Sequence, residues 1–321
     1  MRNKITLILF LAVGLSAFAQ QSITVEKIWK NYLFMSQGGG SYTWQPDGTR
    51  YTRLIKEGNT QKIVEYDIKL GKDYSKTIAD LTNLTFDGKA IRIDNYSFSP
   101  NERTVILSTD TRSIYRHSYT STHYLYNLDT KKVSALDETN NSQTLATFNP
   151  QGDKLAYISN RNLFIKDLKS NAIQALTNDG SFNGILNGTT DWVYEEEFGI
   201  TKTFDWSPDG QYLSYLKMDE RAVKEFTMSY YGDLYPDLYT FKYPKAGEDN
   251  SKVTAHIYDL KNTSTIDIKL GEFEYIPRIN WSTTQNTLVL QTLNRHQNHL
   301  TYYKVEVNAT NLWEAKVFHE E

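Results

Sequence analysis

The stretch "FDWSPDGQYLSYLK", Phe204–Lys217, contains the pattern that decides the fold. An aromatic segment ends at Trp206 and is followed by Ser-Pro-Asp-Gly. This tetrapeptide favours a tight turn, because proline fixes φ and Asp-Gly suits hairpin geometry. Apolar and polar residues then alternate with a period of two, which is typical of a half-buried strand. The stretch therefore predicts a strand, a tight turn and a second strand.

Four other stretches repeat this pattern, and each has an aromatic residue before its turn. The five marker aromatics are Trp44, Phe98, Phe148, Trp206 and Trp281, spaced 54, 50, 58 and 75 residues apart. A repeat of roughly 50 residues that contains hairpins is typical of a β-propeller blade. We therefore predict an all-β chain, a β-propeller with about four strands per blade and about five blades.

Two segments depart from the regular repeat. Residues Phe226–Asn250 form a Tyr- and Pro-rich insertion within the longest spacing, and residues Asp179–Thr203 also exceed the usual length. Departures in repeat proteins tend to lie on the loop face that binds ligands. We therefore expect the functional site near these two segments.

The chain begins with the features of a secretory signal peptide. Residues 1–19 have two basic residues, then an apolar run, and end in an Ala-x-Ala pattern at Ala19. The alternative is an uncleaved membrane anchor, but the apolar run is shorter than the roughly 20 residues of a span. We expect residues 20–321 to form the propeller part of a secreted or periplasmic protein. The sequence has no cysteine, so no disulfide stabilises it.

Composition excludes some partners and cofactors. The 321 residues carry a formal net charge of −3 and have a pI near 6.1, whereas nucleic-acid binding needs a basic surface. His296 and His299 form the only close histidine pair, and no third metal ligand is evident beside them. We predict no nucleic-acid partner, no metal site and no cofactor.

The second irregular segment contains "DWVYEEEF", Asp191–Phe198, in which three glutamates follow a Trp and a Tyr. One interpretation is a solvated acidic turn. However, we expect Trp192 and Tyr194 to pack against the body and position the carboxylates. Adjacent carboxylates repel one another unless a cation neutralises them. On a helical turn Glu196 and Glu197 could flank one ammonium group while Glu195 points elsewhere. The cation could be a metal, a basic side chain or a ligand ammonium.

This segment resembles the signature of the dipeptidyl peptidase IV group of the prolyl oligopeptidase family. Further segments resemble that family in the same order, from about residue 22 to the end. They are "YRHSYTSTHYLYNL" from Tyr115, "KLAYISNRNLFIKDL" from Lys154, "YPKAG" from Tyr243 and "LNRHQN" from Leu293.

The resemblance implies an eight-bladed propeller followed by an α/β-hydrolase domain. It implies that Glu196 and Glu197 bind the free N-terminus of a peptide substrate and that Arg116 helps to hold the first carbonyl. Such enzymes release N-terminal dipeptides with Pro or Ala in second place. The full-length form is expected to be a homodimer.

The sequence also departs from that family. The family's nucleophile is a serine in a G-x-S-x-G turn, and no such motif occurs in the expected context, so we assign no catalytic residue. With about five of eight blades and no hydrolase domain, we expect an N-terminal part that is inactive by itself. The alternative function is a non-catalytic secreted propeller that binds a peptide or protein partner.

Overall fold

A computed structural model describes residues 22–35, 42–71, 73–283, 286–309 and 312–321. The predicted signal peptide, residues 1–19, lies outside these described residues. The chain divides into two compact units, residues 1–41 and 42–321. The first unit contains a π-helical turn, Glu26–Lys30. None of the helices in the described ranges is long and apolar enough to cross a membrane.

In the described ranges the second unit forms six antiparallel sheets, two of which are two-stranded hairpins. The other strands form five successive groups, which we call blades 1 to 5, and blades 2 and 3 share one eight-stranded sheet. The strands of blades 1 and 2, and of a small hairpin (β5–β6) between them, come first in the chain. They are β1 (Thr43–Trp44), β2 (Arg50–Glu57), β3 (Thr60–Asp67), β4 (Lys76–Asp80), β5 (Thr85–Phe86), β6 (Lys89–Ala90), β7 (Asn95–Phe98), β8 (Thr104–Ser113), β9 (Tyr119–Asn127) and β10 (Val133–Ala135). Blade 1 contains β1–β4, and blade 2 contains β7–β10.

The remaining strands complete three more blades and one second hairpin. They are β11 (Gln143–Phe148), β12 (Lys154–Ser159), β13 (Asn162–Asp167), β14 (Ile173–Ala175), β15 (Ile185–Asn187), β16 (Phe204–Trp206), β17 (Tyr212–Asp219), β18 (Glu225–Tyr230), β19 (Asp237–Lys242), β20 (Lys252–Asp259), β21 (Ser264–Ile268), β22 (Tyr275–Trp281), β23 (Leu288–Leu293), β24 (Leu300–Val307) and β25 (Trp313–Glu320). Blade 3 contains β11–β14, blade 4 contains β15–β17 with β20 and β21, and blade 5 contains β22–β25.

The predicted fold class is confirmed, and each marker aromatic lies in a strand that pairs with the next strand across a turn. A single register pair, Gln143 opposite Ser121, joins blade 3 to blade 2. Within the described ranges no strand pairing joins blade 1 to blade 5. The predicted insertion forms the separate hairpin β18–β19, whose connection exposes Tyr231, Leu234 and Tyr235.

The turn after Trp206 has the geometry that its sequence predicts. The amide of Gly210 donates to the carbonyl of Ser207 at 2.8 Å, and the amide of Ser207 donates to the carbonyl of Tyr212 at 2.9 Å. Gly210 has a φ of +66°, a conformation that an L side chain rarely adopts. This closes the hairpin between β16 and β17.

Apolar clusters lie between neighbouring blades and hold them together. Strand β17 illustrates the alternation that this requires. Leu213 and Tyr215 pack toward blade 3, whereas Leu216 and Met218 pack toward blade 5. Because successive side chains of a strand point to opposite faces, one strand serves two interfaces. Each blade is thus buried on both faces only when its neighbours are present.

The marker tryptophans add a polar contact to two of these interfaces. The indole nitrogen of Trp206 in blade 4 donates to the carbonyl of Thr147 in blade 3 at 3.3 Å. In the same way, Trp281 in blade 5 donates to the carbonyl of Asp205 in blade 4 at 3.1 Å. Each acceptor directly precedes the marker of the previous blade. The sequence repeat therefore reflects a repeated contact between blades.

We predict that Trp206→Phe destabilises the protein by about 1–3 kcal/mol, through the lost hydrogen bond and the space left in a buried interface. Trp44→Phe is the matched control, because Trp44 is 53% exposed. Urea unfolding followed by circular dichroism measures both changes. An equal loss of stability in the two variants would contradict the interblade role assigned to Trp206.

Candidate functional site

The acidic segment forms a one-turn α-helix, α1 (Trp192–Glu196), between β15 and β16. Asp191 caps its N-terminus, and the Asp191 carboxylate accepts a hydrogen bond from the amide of Tyr194 at 2.9 Å. The other carboxylate oxygen accepts from the hydroxyl of Ser251 at 2.6 Å. Burial raises the pKa of Asp191, while these two hydrogen bonds oppose that rise. The cap therefore fixes the start of α1 to blade 4.

The aromatic residues of the segment anchor α1 on its other sides. Tyr194 is buried, and its hydroxyl accepts a hydrogen bond from the amide of Ile276 in blade 5 at 2.8 Å. The ring of Trp192 meets that of Tyr243 edge to face, with the centroids 4.4 Å apart. Tyr194 therefore attaches α1 to blade 5, and Trp192 packs it against Tyr243.

Glu195 is fully buried and connects α1 to blade 2. Its Oε1 atom accepts hydrogen bonds from the backbone amides of His117 at 2.7 Å and Ser118 at 2.8 Å. Its Oε2 atom is buried and has no hydrogen-bond partner among the residues described. The loop that it holds carries Arg116. The sequence predicted that Glu195 points away from the amine site. It did not predict the hydrogen bonds between Glu195 and the His117–Ser118 loop, because 78 residues separate Glu195 from His117.

The structure brings Arg116 and Glu196 together. Their closest atoms, Arg116 Nε and Glu196 Oε2, are 3.5 Å apart. The side chain of Arg116 is 74% exposed, whereas that of Glu196 is only 15% exposed. The guanidinium can therefore reach solvent and a ligand, while the carboxylate beside it is held close to the protein.

Glu197 directly follows α1 and is exposed, and its backbone amide donates to the carbonyl of Val193 at 2.9 Å. Its carboxylate forms no ion pair with any residue in the described ranges. Beside it lies an open aromatic depression, to which Trp192, Phe226 and Tyr243 contribute. Arg116 thus pairs with Glu196, while Lys245 lines the same depression as Glu197.

The three consecutive carboxylates of the acidic segment do not form one cluster. The part of the chain that the structure describes contains no group of three or more His, Cys, Asp or Glu side chains that could hold a metal ion. One of the three consecutive carboxylates, that of Glu195, is already committed to backbone amides. Within the described ranges Glu196 and Glu197 accept no such hydrogen bonds from backbone amides.

Comparisons with known proteins agree on one family. The family model for the "Dipeptidyl peptidase IV (DPP IV) N-terminal region" matches residues 99–320. Dipeptidyl aminopeptidase B of Saccharomyces cerevisiae is 30% identical over 247 residues, which cover 74% of this chain and 30% of that protein. Prolyl endopeptidase FAP of Homo sapiens is 34% identical over 219 residues, covering 68% of this chain and 28% of that protein.

A solved structure extends the likeness to the fold. The crystal structure of Porphyromonas gingivalis dipeptidyl peptidase 4 superposes with a TM-score of 0.84 at 35% sequence identity. It covers 93% of this chain, and the match corresponds to 42% of that protein. The chain spans between 25% and 34% of the length of the curated relatives that it matches. By sequence and by fold, the chain belongs to the dipeptidyl peptidase IV family and matches its N-terminal region.

Proposed function

We propose that this chain is the substrate-gating and substrate-recognising part of a secreted serine dipeptidyl peptidase. In this role Glu196 and Glu197 bind the free N-terminus of the peptide, and Arg116 holds its first carbonyl. The observation that carries the proposal is the closeness of Arg116 to Glu196, next to Glu197, on a loop whose following amides, those of His117 and Ser118, bind the buried Glu195. Family relatives named as dipeptidyl peptidases and aminopeptidases support it.

The chemistry of a peptide N-terminus fits the site. An α-amino group has a pKa near 7.7–8.0 and is mostly charged at neutral pH, with three hydrogen-bond donors. Two carboxylates can accept two of these donors. Extended chain spans about 3.3–3.6 Å per residue, so an amine anchored here lies at a fixed distance from a nucleophile two residues along. Such a site selects cleavage after the second residue and excludes peptides whose N-terminus is blocked.

In this proposal, residues 1–321 do not carry out the cleavage of the peptide bond. Residues 1–321 lack the G-x-S-x-G turn in which the family's nucleophilic serine lies. We assign cleavage to a hydrolase domain outside these residues, and we expect residues 1–321 alone to bind peptides without hydrolysing them. Release of Xaa-Pro and Xaa-Ala dipeptides is the activity expected of the complete enzyme.

Secretion and dimerisation are further parts of the proposal. The predicted signal peptide, residues 1–19, supports export to the periplasm or the medium. The connection of hairpin β18–β19 exposes apolar residues, among them Leu234 at 91% exposure, and such surface is typical of protein interfaces. We propose that it contacts a second copy in a homodimer of the full-length form.

We predict that Glu196→Gln or Glu197→Gln in the complete enzyme lowers kcat/KM for an unblocked Xaa-Pro substrate by at least about tenfold. The reason is the loss of a charge-assisted hydrogen bond worth roughly 1.5–3 kcal/mol. Glu272→Gln, at an exposed residue outside the site, is the matched control. Near-normal turnover by the double variant Glu196→Gln/Glu197→Gln would overturn the assignment.

We also predict that Glu195 acts through Arg116 as a positioning residue. Glu195→Ala should lower kcat/KM, and the loss should shrink in an Arg116→Ala background, because the loop then has no guanidinium to position. A double-mutant cycle measures this coupling, expected at about 0.5–3 kcal/mol. Glu195→Gln, which keeps an acceptor oxygen, should lose less than Glu195→Ala. Additive effects of Glu195→Ala and Arg116→Ala would show that Glu195 serves general stability only.

A further inference from the structure

A second cavity lies close to the acidic site but is formed by different residues. Its volume is about 180 Å³. Its walls come from the loop before β9, the start of β11, the β12–β13 turn, the segments on both sides of β15, the residue after β17, and β19. The polar and aromatic residues relevant here are Tyr115, Arg161, Phe182, Thr190, Glu220 and Tyr239. Arg116, Glu195, Glu196 and Glu197 do not line it. The cavity is therefore distinct from the proposed site for the peptide N-terminus.

Glu220 places an unpaired carboxylate at this cavity. The residue follows β17 and is only 6% exposed. Within the described ranges its side chain accepts no hydrogen bond and forms no ion pair. Burial, together with the nearby charge of Asp191, raises the pKa of Glu220 to about 7. A buried carboxylate without a partner is costly, so this one calls for a hydrogen-bond donor that a ligand can supply.

The charged side chains near Glu220 do not donate a hydrogen bond to it, because they pair with other residues. Lys242, whose charge favours ionised Glu220, donates its Nζ hydrogen to the carbonyl of Val223 at 2.8 Å and lies 3.5 Å from Glu225. Asp219, which also raises the pKa of Glu220, pairs with Arg221 at 2.6 Å.

Arg161 brings the opposite charge to the same cavity. It lies in the turn between β12 and β13, and its Cζ atom is 4.8 Å from the centroid of the Phe182 ring. Its guanidinium forms no ion pair with a residue in the described part of the chain. The charge of Arg161 lowers the pKa of Glu220, so the two side chains interact electrostatically without forming a salt bridge. Thr190, which also lines the cavity, has a hydroxyl without a described partner.

We propose that this cavity binds a small zwitterion of the α-amino acid class, with its ammonium group on Glu220 and its carboxylate on Arg161. A ligand with both charges satisfies both unpaired side chains at once. The size also fits, since an apolar cavity of about 150 Å³ holds a molecule of roughly six heavy atoms such as benzene. L-alanine has about that many heavy atoms. The inference goes beyond the peptidase assignment and does not depend on it.

Calorimetric titration of the complete protein with L-alanine tests the proposal. We expect saturable binding, and at least about tenfold weaker binding of N-acetyl-alanine, which lacks the ammonium, and of alaninamide, which lacks the carboxylate. Glu220→Gln and Arg161→Met should each weaken L-alanine binding by a similar factor. Glu272→Gln and Arg103→Met remove the same charges from exposed positions and should leave it unchanged.

The titration also separates this cavity from the acidic site. Loss of L-alanine binding in Glu196→Gln, with normal binding in Glu220→Gln, would place the ligand at the acidic site and overturn the proposal. If no binding is detected up to about 10 mM L-alanine, the binding free energy is weaker than about −3 kcal/mol. That result would also overturn the proposal. The ligand series on the unmodified protein keeps the test decisive if Glu220→Gln fails to fold. Equal affinity for L-alanine and both derivatives would refute the charge-pair recognition.

Discussion

Hydrogen bonds from two backbone amides to one buried carboxylate connect the short helix α1 to the loop that carries Arg116. Glu195 reaches from α1 to the amides of His117 and Ser118, and the loop between β8 and β9 carries Arg116 to Glu196. Hydrogen bonds to a charged group are worth about 1.5–3 kcal/mol each, more than those between neutral groups. This link keeps the loop that carries the exposed Arg116 next to the helix that carries Glu196.

The helix itself depends on the blades around it. A helix of five residues is not stable in isolation, because nucleation is unfavourable and few hydrogen bonds follow it. Here α1 is attached to blade 4 through Asp191 and Ser251, to blade 5 through Tyr194 and Ile276, and to blade 2 through Glu195. The site therefore exists only where these blades are stacked at the correct relative positions. The apolar clusters and the marker tryptophans between blades maintain that stacking.

Sequence periodicity was sufficient for the fold but not for the contacts between distant segments. The turn at Gly210 and the alternation after it predicted a hairpin, because these signals are local. The pairing of Glu195 with Ser118 is not local, and no spacing in the sequence indicates it. Glu220 and Arg161 were also missed, since a single glutamate after a strand and a single arginine in a turn are ordinary surface patterns. Only the folded chain brings the two to one cavity.

The most direct test of the central claim is a crystal structure of the complete protein with an Ala-Pro-Ala peptide whose second peptide bond is reduced to prevent cleavage. We expect the peptide's N-terminal nitrogen to lie about 2.7–3.2 Å from a carboxylate oxygen of Glu196 and from one of Glu197. The guanidinium of Arg116 should face the first carbonyl. A peptide bound with its N-terminus away from both glutamates, or in the opposite direction, would contradict the assignment of this site.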